Sequence, residues 1–157
     1  MLQRKKTVKE TIQFCSNFDY IFCADMHFFM NDLQESHLPL FHGVKIMVSE
    51  EMMKILTEQR KSSVITKRKK ARHALRLLNE LSVIGEILLI PSTSQHDQFD
   101  FYCYRLSLDY KQPSDRILGY YLKWNEEGLY RLLFVTSDKK TYKQAKRKGF
   151  KTELIQN

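Results

Sequence analysis

The 157 residues are 43% apolar and 12% aromatic, enough to bury one good core and too few for a second, so one domain is expected. Lys and Arg outnumber Asp and Glu by 26 to 18, and the net charge of +8 favours attraction to a polyanion such as a nucleic acid. No apolar stretch reaches the roughly 20 residues of a membrane span, and neither a zinc site nor a disulfide framework is indicated by the spacing of Cys15, Cys23 and Cys103.

Residues 1–18 read as a basic arm followed by a short helix, with Thr7 as N-cap and Glu10 completing a capping box. The start, Met1-Leu-Gln-Arg-Lys-Lys, lacks the apolar centre of a secretory signal, so a cytoplasmic protein with no membrane partner is expected. Residues 19–157 form the main domain.

Tyr20 to Ala24 is a continuous apolar run, the pattern of a strand buried on both faces of a parallel sheet. A short helix is expected over His27 to Leu33, and after the Pro39 and Gly43 loop Val44 to Val48 forms a second strand. Ser49 caps the next helix, whose first turn carries Glu50 and Glu51, acids that suit the positive end of a helix dipole. Thr66 to Val83 is a longer helix. Ala71, Ala74, Leu75, Leu78 and Leu81 recur on one side of it, and Arg68, Arg72 and Arg76 line another.

Glu86 to Ile90 is a third strand, ended by Pro91. Residues 92–113 are polar and then aromatic, a stretch long enough to be a substrate flap or to hide an extra element. Pro113, Ser114 and Asp115 open another helix. Arg131 to Val135 gives a fourth strand, Lys139 to Lys148 a basic helix stopped by Gly149, and Phe150 to Ile155 a fifth strand. Strands alternating with helices predict a three-layer α/β/α sandwich around a central parallel sheet of four to five strands.

Asp25 directly follows the first strand and Asp138 comes just after the fourth, and carboxylates at the C-terminal ends of parallel strands lie where open α/β sheets bind ligands. With Asp115 delivered to the same pocket, three carboxylates require a cation, because like charges at close range raise one another's pKa. An all-oxygen set suits Mg²⁺ or Mn²⁺, whereas zinc would want His or Cys. Arg68, Arg72 and Arg76, together with Lys139, Lys140 and Lys143 beside Asp138, are the residues expected to meet RNA phosphates, which positions a backbone without reading its sequence. The aromatics between Phe99 and Tyr110 offer stacking platforms for unpaired bases, so single-stranded RNA is the expected form.

The order of these parts resembles a PIN domain, a metal-dependent ribonuclease fold of bacterial toxins and RNA-processing enzymes. Asp115-Arg-Ile-Leu-Gly-Tyr-Tyr-Leu, then Leu133-Phe-Val-Thr-Ser-Asp138, then Ala145-x-x-x-Gly149-Phe-Lys look like the family's helix acid, its strand ending in Thr-Asn-Asp, and its closing helix. Ile21-Phe-Cys-Ala-Asp25 resembles the opening strand and first aspartate. Lys67-Arg-Lys-Lys-Ala-Arg-His-Ala-Leu-Arg-Leu-Leu looks like the basic helix of the branch attached to PhoH-type and membrane-anchored bacterial proteins.

Met26 and His27 stand where the family has Thr and Asn or Ser, and Ser137 replaces the usual Asn. The family's glutamate after the second strand aligns with Ile55, with Glu51 and Glu58 on the same helical face. Either could substitute, and Glu51 lies nearer the strand end. The resemblance thus implies an endoribonuclease that hydrolyses RNA with Mg²⁺ or Mn²⁺. Asp25, Asp115 and Asp138 would be the metal ligands, Glu51 the fourth catalytic acid, and Thr136 and Ser137 hydrogen-bonding support. The alternative it leaves open is a degenerate PIN-fold module for RNA binding or protein docking, with a second copy, an antitoxin or another protein as partner.

Overall fold

The two most apolar runs lie side by side in the middle of the sheet, in a computed structural model that describes residues 5–92, 96–128 and 130–156. β1, Ile21–Ala24, is buried at every position, as is β4, Leu132–Thr136, and they pair in parallel with Ala24 opposite Val135. β2, Lys45–Ser49, flanks β1 on its other side, and β3, Glu86–Ile90, pairs with β2. β5, Thr152–Leu154, completes the order β3-β2-β1-β4-β5, every pairing parallel. Helices flank this sheet in a three-layer α/β/α sandwich.

That order reverses direction between β1 and β4. The chain runs outward from β1 through β2 to β3, then returns to lay β4 on the opposite side of β1. Crossover connections diverge at such a switch point and leave a crevice beyond the strand ends. Asp25 and the tripeptide Thr136-Ser137-Asp138 occupy those ends.

The first helix, α1, Val8–Phe18, begins with the expected capping box between Thr7 and Glu10. It is an integral part of the domain, because Val8, Ile12 and Cys15 are buried in the same core as the central strands, and Lys6 forms a parallel bridge to Ile155. The first four residues of the basic arm lie outside the described residues.

After β1 the chain makes a π-helical turn, Phe28–Asp32, and then a 3-10 stretch, Glu35–Phe41, which buries Leu38 and Phe41. α2, Glu50–Gln59, is capped by the Ser49 hydroxyl, which accepts from the Met52 N–H at 3.3 Å. α3, Ile65–Ile84, packs along α2 and both short turns through Ala71, Ala74, Leu77, Leu78 and Leu81, and His73 Nε2 meets the Leu33 carbonyl at 3.1 Å. Gly85 ends α3 where a Cβ would stand 2.9 Å from the Val44 carbonyl oxygen, too close for any other residue.

The stretch left unassigned by sequence contains a helix, α4, His96–Arg105. It packs on α5, Pro113–Glu126, at Gly119, where an added Cβ would lie 2.9 Å from Cys103 Sγ and 3.2 Å from Phe99. Tyr121 of α5 is fully buried and donates its hydroxyl to the Ala24 carbonyl at 3.1 Å, fixing α5 to the end of β1. α6, Lys139–Arg147, runs between β4 and β5 and ends at Gly149 with a φ of +76°. Among the described residues no helix is long and apolar enough to cross a membrane.

Candidate functional site

Asp25 is placed by the end of β1 and by the π-helical turn that follows. It is 8% exposed, and each of its oxygens accepts a hydrogen bond: Oδ1 from the Phe28 N–H at 2.9 Å and Oδ2 from the Thr136 hydroxyl at 2.6 Å. Thr136 Oγ1 in turn accepts from the Asp138 N–H at 3.1 Å. Ser137 donates to a different carboxyl, Asp32 Oδ2, at 2.8 Å. Two consecutive hydroxyls at the end of β4 therefore hold two acids from the segment after β1.

Asp32 is 6% exposed, and its Oδ1 is buried without a hydrogen-bond partner among the described residues. Burial pushes the Asp25 carboxyl above the usual range, against the pull of Thr136, the Phe28 N–H and His27, and Asp32 adds to the rise. Burial likewise raises Asp32, against Ser137 and His27. Asp32 also lines a cleft of about 450 Å³ with Lys9, Asn31, His37 and Gln156.

Asp138 behaves oppositely. It caps α6, its Oδ2 accepting from the Thr141 hydroxyl at 2.5 Å and the Thr141 N–H at 3.1 Å. The Thr141 hydroxyl bond, more than any other influence, holds its pKa below the usual carboxylate value. His27, exposed and hydrogen-bonded to Asn31 at 3.0 Å, pulls Asp25, Asp32 and Asp138 downward as a smaller influence on each.

Asp115 and Glu51 have other neighbours. Asp115 Oδ2 accepts from the Asp109 N–H at 2.7 Å, pinning the turn before α5, and its charge acts on Lys148 and Cys103. Glu51 Oε1 pairs with Arg116 Nε at 2.8 Å, and Arg116 Nη1 pairs with Asp100 at 3.0 Å. The same guanidinium donates to the Tyr110 carbonyl and lies over the Phe99 ring, joining α2, α4 and α5. Glu58, the alternative fourth acid, is exposed. Among the described residues no three His, Cys, Asp or Glu side chains are grouped as a metal ion would require.

The arginines of α3 divide by their contacts. Arg68 donates to the Ser62 carbonyl at 3.2 Å, and Arg76 pairs with Glu35 at 3.3 Å, while Arg72 is exposed. Lys139, Lys140 and Lys143 are exposed on α6 beside Asp138. Sequence reasoning missed Asp32, Arg116 and Asp100. Asp32, seven residues after Asp25 and directly after Asn31, carried only the weak signal of a second acid behind the first strand.

No protein-family model matches the chain, and no curated protein matches it. Among solved structures, it is similar to a domain of a functionally unknown protein from Methanocaldococcus jannaschii DSM 2661, with a TM-score of 0.62 over 88% of this chain and 92% of the other. At 14% identity that likeness concerns the fold.

Proposed function

We propose that the chain is a metal-dependent endoribonuclease of PIN type, hydrolysing RNA phosphodiesters with Mg²⁺ or Mn²⁺ at the rim made by the ends of β1 and β4. The reading rests above all on two buried acids, Asp25 and Asp32, held by the adjacent hydroxyls of Thr136 and Ser137 next to Asp138. Their oxygen chemistry suits a hard divalent cation, and the unpartnered Oδ1 of Asp32 is an acceptor still to be satisfied. Asp25, Asp32 and Asp138 are the acids that would hold the ion, and their carboxyls would have to draw together on it, since as they stand they are not grouped for a metal. When bound, it supplies a water of lowered pKa and positive charge for the leaving oxygen.

The chain's own residues orient the acids. Thr136 donates to Asp25 and accepts from the Asp138 N–H, so one hydroxyl links the two acids. Asp115 is held instead by the Asp109 N–H and Glu51 by Arg116, away from these three. Arg72, Lys139, Lys140 and Lys143 are the exposed cations that would meet backbone phosphates of single-stranded RNA.

The Arg116–Glu51 pair favours a second reading, a degenerate module that binds RNA or docks on protein, because it already neutralises the fourth acid. Incubating the protein and its Asp25→Asn variant with a panel of single-stranded RNAs under Mg²⁺, Mn²⁺ or EDTA separates the two. Cutting that EDTA stops and Asp25→Asn abolishes is the expected result. RNA binding without cutting under either ion would leave the degenerate module.

A further inference from the structure

One face of α6 carries Lys140, Lys143, Gln144 and Arg147, residues spaced three and four apart so that they stack along the helix. With Lys148 and Ser107 they line a cleft of about 280 Å³ between the end of α6 and the turn after α4. Four cationic side chains thus converge on one small space. We propose that this cleft binds a phosphomonoester group, either the phosphorylated end of a single-stranded RNA or a small free phosphate compound.

Size and lining both argue for the phosphate. Ligand pockets run from about 300 to 1,000 Å³, so this cleft has room for a phosphate and part of a sugar but not for a duplex. Its lining is cationic and amide or hydroxyl in character, with no ring on which a base could stack. A monoester fits the charge better than an internal diester, because it carries nearly two negative charges at neutral pH and three oxygens to accept from several donors.

Two features define the surroundings of the cleft. Ser107 lies at a φ of +60° as the left-handed residue of the cap that ends α4, its N–H donating to the Tyr104 carbonyl at 3.0 Å and the Leu108 N–H to the Cys103 carbonyl at 2.9 Å, so the wall it gives the cleft is set by the helix end. Lys148 is partly buried, and that desolvation lowers its pKa against the pull of Asp115, with Arg147 acting in the same direction as burial. A bound dianion would offset both effects.

The inference deepens the RNA-binding side of the proposed function and is independent of cleavage, so its test is run in EDTA. Binding of labelled tetranucleotides carrying a 5′-phosphate, a 3′-phosphate or two hydroxyl ends is measured by anisotropy at fixed ionic strength, with inorganic phosphate as competitor. A phosphorylated end is expected to tighten binding about tenfold, the worth of one hydrogen bond to a charged group. The gain disappears in a Lys143→Gln/Arg147→Gln variant with an unchanged melting temperature. It also fades in the unaltered protein as pH falls below about 6, where the monoester dianion takes up a proton and becomes a monoanion.

Displacement by inorganic phosphate with no preference for phosphorylated ends would identify the small free compound as the source. Equal binding of all three oligonucleotides, undisturbed by inorganic phosphate, would overturn the proposal.

Discussion

The fold neutralises its two groups of acids in different ways. In the knot between α2, α4 and α5, Glu51 and Asp100 share a single guanidinium, that of Arg116, which is also held by a carbonyl and an aromatic face. At the rim, Asp25 and Asp32 are more deeply buried yet are met by hydroxyls and an N–H. Among the described residues each region leaves one buried carboxylate oxygen without a partner, Glu51 Oε2 and Asp32 Oδ1. The knot has its counter-charge built in, whereas the rim holds its acids with neutral donors. An acid joined to an arginine ties helices together, and the proposed function turns on the acids that are not.

The largest effect should come from breaking the knot. Arg116→Met removes the cation from two carboxylates whose side chains are only 21% and 29% exposed, and should cost about 3 kcal/mol in urea unfolding, the low end for an unpaired buried charge. Adding Glu51→Leu and Asp100→Leu to that variant should recover most of the loss, since an apolar replacement of the whole cluster leaves no charge to solvate. A triple variant as unstable as the single one would mean that Arg116 acts through packing on Phe99 rather than through charge.

The rim should respond less. Thr136→Val keeps the shape of the side chain but takes the donor from Asp25 and the acceptor from the Asp138 N–H, and should cost about 2 kcal/mol. Addition of Mn²⁺ should restore part of this if the rim binds a cation, because binding to the folded state alone raises stability. Thermal melts with and without the ion provide the comparison. An unaltered protein whose melting temperature is indifferent to Mn²⁺ would remove the rim's distinction from the knot.

The rim was largely legible in the sequence and the knot was not, for physical reasons. Apolar runs such as Ile21–Ala24 and Leu132–Val135 declare buried parallel strands, so the residues directly after them, Asp25 and Thr136-Ser137-Asp138, could be placed at strand ends without coordinates. Asp32 escaped because a π-helical turn is wider than an α-helical one, and no residue between Phe28 and Asp32 marks the difference. The knot joins residues 65 positions apart in the chain, Glu51 and Arg116, and a pairing of that range leaves no local pattern. α4 was hidden because Phe101 and Tyr104 face outward while Phe99 and Cys103 face the core, which blurs its helical period.

A smaller change tests how the knot is assembled. Gly119→Ala would push a methyl group against Cys103 Sγ and Phe99, where α4 lies on α5. Overpacking of this kind costs about 1–3 kcal/mol, and the better helix propensity of alanine returns about 1 kcal/mol, so a net loss of about 1 kcal/mol is expected by urea unfolding. Cys103→Ala in the same chain should relieve the contact. A stabilised Gly119→Ala protein would show that α4 can move aside at no cost.

The finest distinction lies within the rim and is read as a slope against pH, in EDTA to keep metal out. Asp25 is raised by burial, so between the ordinary aspartate pKa of about 4 and its own higher value the folded protein holds a proton that the unfolded chain has released. Stability contributed by that proton is present below the window and lost as pH rises through it. Asp138 is lowered by Thr141, so between its own value and the ordinary one the unfolded chain holds the extra proton. Its contribution is present above the window and lost as pH falls through it. Relative to the unaltered protein, Asp25→Asn should therefore gain stability as pH rises above about 4, and Asp138→Asn should lose stability as pH rises toward that point. Two variants with slopes of the same sign would mean that burial does not dominate at Asp25, and the rim would then resemble an ordinary capped loop more than a site lacking a counter-charge.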